Sequence, residues 1–277
     1  MLDYDYFTWT TNDKLPTGGL KVNERIALRP HDSSDHRGKV LQLSDDGKKA
    51  VVLMDVDSRE REISLDSRDL RWVFRKKHSG SVLIVPETVE FRSCARSQVF
   101  ADDKVVELGS SYGDTSILLS RYCQSTVGID CSLECIQESR RRYPELSFMH
   151  LDVFREADRV ASIHDVCNVV AVDIGGDRCV RDQLECLHWV RTTLKPELIL
   201  IKSRHLFKDL RNFAAQSGVE YAGPVPSIEE FLKLHANEGL ISGEGDTIAI
   251  RKRLSRSGKR KAAAAAAKLS PEIDITK

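Results

Sequence analysis

Four acidic residues and a lysine stand where short apolar runs of this sequence end. Glu107 sits in Lys104 to Leu108 and is followed by Gly109, Ser110 and Gly113. Asp130 closes the run Thr126 to Ile129, Asp152 follows Leu146 to His150, Asp173 follows Val166 to Val172, and Lys202 follows Glu197 to Ile201. An unpaired carboxylate at the end of a buried run costs on the order of several kcal/mol. Grouped carboxylates therefore suit a cationic ligand, and an acid some twenty residues after a glycine loop suits a ribose diol. Gly109 and Gly113 permit a sharp strand-to-helix turn and close approach of backbone to ligand. Asp114, Thr115 or Ser116 is expected to cap the helix that follows. The plain alternative is a tight turn without a ligand, with charges that end strands because strand ends meet water.

The runs that carry these residues are rich in β-branched and other apolar side chains, as strands buried on both faces are. Helical patterns lie between them; Val180, Leu184, Leu187, Val190 and Leu194 make one apolar stripe. Strand and helix in alternation imply right-handed crossovers and an α/β fold, a doubly wound parallel sheet with helices on both faces. Ligands of such sheets bind beyond the carboxyl ends of the strands where strand order reverses, and residues 105–120 are expected to mark that place. This domain is expected over residues 81–252. Residues 1–77 read instead as short strands, Arg25 to Arg29, Gly38 to Leu43, Ala50 to Met54 and Arg61 to Leu65, separated by turn clusters. A small antiparallel β-barrel is the expectation there. Residues 253–277 form a basic, Ala-rich tail. Seven of the eleven residues from Arg251 to Lys261 are basic, which suits a solvated disordered segment, a nuclear-targeting signal or an RNA-phosphate contact.

The acids discriminate between ligands. A dinucleotide brings a pyrophosphate, which favours a full Gly-x-Gly-x-x-Gly loop and disfavours an acid beside it. S-adenosyl-L-methionine brings a sulfonium, an ammonium, a ribose and an adenine, all of which acids suit. With Glu107-x-Gly109-x-x-x-Gly113 followed by Asp130 and Asp152 at the next two strand ends, residues 85–250 resemble the class I S-adenosylmethionine-dependent methyltransferases. The resemblance implies a Rossmann-like sheet. It also implies that Glu107, Gly109, Ser110 and Gly113 cradle the methionine end, that Asp130 takes the ribose hydroxyls, and that Asp152 holds the adenine amino group. Ser111 stands where the family commonly has a glycine.

The acceptor side is less marked. An Asn-Pro-Pro-Tyr motif, which holds amino groups of bases in such enzymes, is missing from Ala171-Val172-Asp173-Ile174-Gly175-Gly176-Asp177, and no cysteine nucleophile follows the fourth or fifth strand. Asp173 and Lys202 instead end adjacent strands, where a lysine could stabilise a developing alkoxide while a carboxylate steers it. This pair resembles part of the lysine and acid set of ribose 2′-O-methyltransferases, including fibrillarin and the heat-shock ribosomal RNA enzymes, and Leu108 to Gly113 is also similar to fibrillarin. Glu244, before an expected last strand Thr247 to Ile250, is a candidate further acid; Arg92 and Arg96 lie nearest the place of an upstream lysine. Arg178, Arg181 and Arg204 form either a phosphate-binding rim or ordinary helix surface. Leu65 to Arg71 resembles the closing segment of Tudor-like barrels, but Val52, Leu53, Met54 and Val56 stand where that family builds an aromatic cage, so a docking or RNA-contacting module is expected.

The whole chain excludes some classes. Its 277 residues hold 42 basic and 42 acidic side chains, so no global field draws it to nucleic acid or membrane. Acids at the N-terminus and the lack of a long apolar run predict a soluble intracellular protein, nuclear or cytoplasmic, that does not contact membrane. The seven cysteines contain no Cys-x-x-Cys pair and the eight histidines no His-Glu-x-x-His, so reduced cysteines and no metal are expected. The readings that remain are a methyltransferase acting on RNA through its barrel and tail, a catalytically silent methyltransferase-like scaffold with a protein partner, and a nucleotide-dependent oxidoreductase.

Overall fold

The structure, a computed structural model, describes residues 4–8, 20–28, 37–45, 49–56, 59–65, 73–75, 80–163, 167–175 and 180–216. The described chain opens with β1 (Asp5–Thr8) and continues through β2 (Arg25–Leu28), β3 (Arg37–Leu43), β4 (Ala50–Val56), β5 (Arg59–Leu65) and β6 (Val73–Arg75) to β7 (Ser81–Val85). Strands and helices then alternate: α1 (Thr88–Gln98), β8 (Lys104–Leu108), α2 (Asp114–Ser120), β9 (Ser125–Asp130), α3 (Leu133–Arg142), β10 (Ser147–His150), α4 (Ala157–Ala161), β11 (Val169–Val172), α5 (Val180–Trp189), β12 (Leu198–Lys202) and α6 (Arg204–Gln216).

The alternation builds a seven-stranded sheet of order β1-β7-β12-β11-β8-β9-β10, with every pairing parallel. Its strands are apolar on both faces because each face is covered. Val82, Ile84, Val106, Leu108, Val170, Val172, Ile199 and Ile201 join one core with α5 and α6. Their sequence neighbours Leu83, Val85, Val105, Val169, Ala171, Leu198 and Leu200 join a second core with Phe91, Cys94 and Ala95 of α1 and Leu119 of α2. The two-residue period of a strand thus sorts side chains between two helical layers.

The doubly wound, Rossmann-like fold is as the sequence implies, but its outer edge differs. The first strand of the chain, Asp5–Thr8, is not part of the small sheet; it pairs with β7 in the large one, Asp5 opposite Ser81. Two N-terminal strands therefore extend the sheet beyond β12. Tyr4 and Tyr6 pin this edge: the Tyr4 hydroxyl donates to the Pro196 carbonyl at 2.5 Å, and Arg191 donates to the Tyr6 oxygen at 2.6 Å. A π-helical turn over Val190–Leu194 continues α5 in place of regular helix and carries Arg191.

The small sheet has order β5-β4-β3-β2-β6, all antiparallel, around Ile26, Val40, Ala50, Val52 and Leu65. β2 to β5 contain no aromatic residue, and of the segment Leu65 to Arg71 that resembles the closing part of Tudor-like barrels, residues 66–71 lie outside the described residues. Arginines fasten this sheet to the large one. Arg25 makes a two-pronged ion pair with Asp102, at 2.9 and 2.7 Å, and lies 4.5 Å from the centre of the Phe100 ring; Arg37 donates to the Val99 and Arg96 carbonyls and stacks 3.8 Å from the Tyr122 ring. Among the described residues no helix is long and apolar enough to cross a membrane. Glu244, the expected strand Thr247 to Ile250, Arg178 and the basic tail lie outside the described residues.

Candidate functional site

Strand order reverses at β8, which has β9 on one side and β11 on the other. The crevice beyond its carboxyl end is therefore walled by the exits of three strands. Gly109 leaves β8 at φ +86°, and a Cβ built there would lie 2.1 Å from the Asp173 carbonyl oxygen. A side chain would push β8 and β11 apart, so glycine is required on both steric and conformational grounds. Gly113 at φ +84° begins α2 with the Phe148 ring 2.8 Å from where its Cβ would be. Ser111 adopts φ +47°, and its N–H is fixed by Asp130, whose Oδ2 accepts it at 2.9 Å. Asp130 Oδ1 accepts the Ser132 N–H at 2.8 Å. Asp130 thus joins the glycine loop to the start of α3 and keeps lone pairs on both oxygens.

The cap expected for α2 is not made. Its N-cap is Gly113, with no side-chain hydrogen bond, because the three candidate residues are engaged elsewhere. Asp114 accepts the Tyr143 hydroxyl at 2.9 Å, Thr115 accepts from Arg92 Nε at 3.3 Å, and Ser116 Oγ donates to Glu107 Oε2 at 2.5 Å.

Glu107 is 1% exposed. It stands on the sheet face that α1 and α2 cover, opposite Ala171 in register. Burial first, then the nearby Asp173 and Asp130 carboxylates, push its pKa up to about 8, against the Ser116 hydrogen bond and the Arg92 charge, which pull it down. The side chain is therefore a neutral acid at pH 7 and becomes a carboxylate when a cation is brought beside it.

Asp173 and Lys202, on neighbouring strand ends, meet with Oδ2 and Nζ 2.6 Å apart and side chains 17% and 15% exposed. Lys202 Nζ also donates to Thr88 Oγ1 at 3.1 Å, so the ammonium is held between β11 and the first turn of α1. Thr88 was not legible as a site residue; only the pairing of β7 with β12 brings it there. Asp152 follows the outer strand β10, where its Oδ1 accepts the Phe154 N–H at 3.0 Å and its Oδ2 lies 3.4 Å from Arg155. It stands apart from Glu107 and Asp173, on the side of the crevice next to Asp130. Of the expected arginine rim, Arg204 forms a two-pronged pair with Glu87 at 2.7 and 3.0 Å, and Arg181 pairs with Glu185 at 3.2 Å.

Ser110 Oγ is buried without a hydrogen-bond partner among the described residues. An orphaned hydroxyl in the loop, a buried acid that no cation among the described residues touches, and two left-handed glycines form a cradle whose polar groups fit an amino acid attached to a nucleoside.

No protein-family model matches the sequence, and no curated protein matches it. Solved structures similar in fold include the 23S rRNA methyltransferase ErmE, at 11% identity over 40% of this chain and 43% of that one with a TM-score of 0.30. A second is an S-adenosylmethionine-dependent methyltransferase from Thiobacillus denitrificans in complex with S-adenosyl-L-homocysteine, at 19% identity over 42% and 48% with a TM-score of 0.30. A third is YjhP from E. coli, at 17% identity over 42% and 48% with a TM-score of 0.28. The chain spans less than half the length of each.

Proposed function

We propose that this protein is an S-adenosyl-L-methionine-dependent methyltransferase that acts on RNA, with a ribose 2′-hydroxyl as the acceptor. The observation that carries this reading is the crevice at the strand reversal, where buried Glu107, the Gly109 to Gly113 loop and Asp130 stand on one side and the Asp173–Lys202 pair on the other. Glu107, Ser110 and the loop amides would hold the methionine end, Asp130 the ribose, and Asp152 the adenine. When bound, the cofactor supplies a methyl group on a positively charged sulfur.

The chain's own residues account for the rest. Asp173 and Thr88 each engage the Lys202 ammonium, which leaves it one further N–H. In the crevice that N–H would donate to an acceptor oxygen and stabilise the charge that develops there as the hydroxyl proton passes to solvent. Asp173 holds the Lys202 side chain in place and turns the acceptor oxygen toward the loop; holding reactants aligned is the larger share of such catalysis. RNA is reached through the small sheet and the basic tail, and the compartment is nuclear or cytoplasmic.

The test is incubation of the full chain with radiolabelled cofactor and fractionated extract, beside calorimetric binding of S-adenosyl-L-homocysteine. Label in RNA, lost in Lys202→Met and Asp173→Asn while binding persists, is the expected result. Label in protein or small molecules overturns the acceptor assignment. Binding without transfer to any fraction favours the silent scaffold, and nicotinamide-dinucleotide binding favours the oxidoreductase.

A further inference from the structure

Gln183 is a polar residue in an apolar place. It lies on α5 three residues after Val180 and four before Leu187, so it shares their face of the helix, the face on which Val180, Leu184, Leu187 and Val190 join the core. The side chain is 0% exposed. Its Nε2 donates to the Gly175 carbonyl at 3.0 Å, and its Oε1 is buried without a hydrogen-bond partner among the described residues. A buried amide with an unsatisfied oxygen stabilises a fold less than an apolar side chain of the same shape does. Stability therefore does not account for a glutamine at this position.

The hydrogen bond is not required by its partner either. Gly175 is exposed, and water satisfies an exposed carbonyl. What the bond does is select a conformation: Gly175 stands at φ +105°, two residues beyond Asp173, and a glycine left untethered has wide backbone freedom. The exit of β11 is thereby gripped from both helical layers. On the side of α1, Lys202 pairs with the Asp173 carboxylate and donates to Thr88. Within the sheet the Asp173 N–H donates to the Leu108 carbonyl at 2.8 Å. On the side of α5, Ile174 packs on the core and Gln183 holds Gly175.

We infer that Gln183 is a positioning residue of the acceptor site, holding the exit of β11 so that Asp173 meets Lys202 in a single geometry. The inference rests on the proposed function and adds to it a residue that acts through Asp173 from the helix behind the strand. It gives the unsatisfied amide a reason: alignment of the Asp173–Lys202 pair is gained where core stability is given up.

The experiment compares the full-length wild type with Gln183→Met in four measurements: melting temperature, calorimetric affinity for S-adenosyl-L-homocysteine, hydrogen exchange of the peptide spanning residues 169–175, and kcat and KM for methyl transfer to whichever extract fraction takes up label. Methionine fills a similar space and leaves no amide to satisfy. The variant is expected to melt at or above the wild-type temperature, to bind S-adenosyl-L-homocysteine as the wild type does, and to exchange faster in that peptide but not in those of β8 and β9. Its kcat is expected to fall about tenfold to a hundredfold at a similar KM. A lower melting temperature with exchange raised in β8, β9 and β11 alike makes Gln183 a core residue only and overturns the inference. Unchanged exchange at residues 169–175, or an undiminished kcat, overturns it as well, and each of these results leaves the proposed function standing. A wild type that transfers label to no fraction overturns both.

Discussion

Replacement of Glu107 by Gln tests the electrostatics of the crevice without a ligand. The side chain is fully buried, receives the Ser116 hydroxyl at 2.5 Å, and holds its proton to about pH 8 instead of the ordinary 4.5. The folded protein therefore retains between those values a proton that the unfolded chain gives up. Stability from this group is fully present below pH 4.5 and is lost as pH rises through 8. At about 1.4 kcal/mol per pH unit, the wild type should lose roughly 3 to 4 kcal/mol between pH 5 and pH 8 from this carboxyl alone. The groups that face it, Asp173, Asp130 and Arg92, remain in the variant, as do the histidines, so the difference between the two proteins isolates Glu107. A glutamine keeps the shape and accepts the Ser116 hydroxyl through its amide oxygen, but does not titrate. Urea unfolding at pH 5, 6, 7 and 8 should show a wild-type curve that falls relative to Glu107→Gln by about 1 kcal/mol per pH unit above pH 5. Parallel curves over the whole range would falsify the assignment of a neutral buried acid, and with it the argument that a cation draws the proton off.

Other perturbations read other parts of the same geometry. Gly109→Ala sets a methyl 2.1 Å from the Asp173 carbonyl oxygen at φ +86°; a loss of about 2 to 4 kcal/mol in urea unfolding is expected, and a loss below about 0.5 kcal/mol contradicts the close approach of β8 and β11. Asp130→Ala removes both backbone acceptors for Ser111 and Ser132. It should cost about 1 to 3 kcal/mol of stability and raise hydrogen exchange at those two amides, with affinity for adenosine reduced at least tenfold by calorimetry. Asp130→Asn, which keeps one acceptor oxygen, should fall between.

The carboxyl ends of the strands were legible because a strand buried on both faces must be apolar throughout, so Glu107, Asp130, Asp173 and Lys202 show as charged interruptions of apolar runs. Gly109 and Gly113 were legible for the same reason: only glycine accepts the turn between such a strand and its helix. Asp114, Thr115 and Ser116 were misread as caps, since a capping residue and a residue that reaches another strand have the same composition. Ser116 faces Glu107 only because α2 packs back over β8. Strand Asp5–Thr8 was missed in the large sheet, where its Tyr6 and Phe7 divide between the two cores; four residues carry too short a pattern to name the sheet they join.

Local sequence alone determined the alternation of strands and helices, the glycine turn and the acid at each strand exit, because these depend on burial period and backbone freedom within a few residues. Only the tertiary structure decided that Lys202 meets Asp173 and Thr88, and that Glu107 is shut from solvent with Ser116 of α2 donating to it. Those contacts join residues from 9 to 114 positions apart. They depend on which strand lies beside which, a consequence of packing two apolar faces that no short stretch of chain encodes.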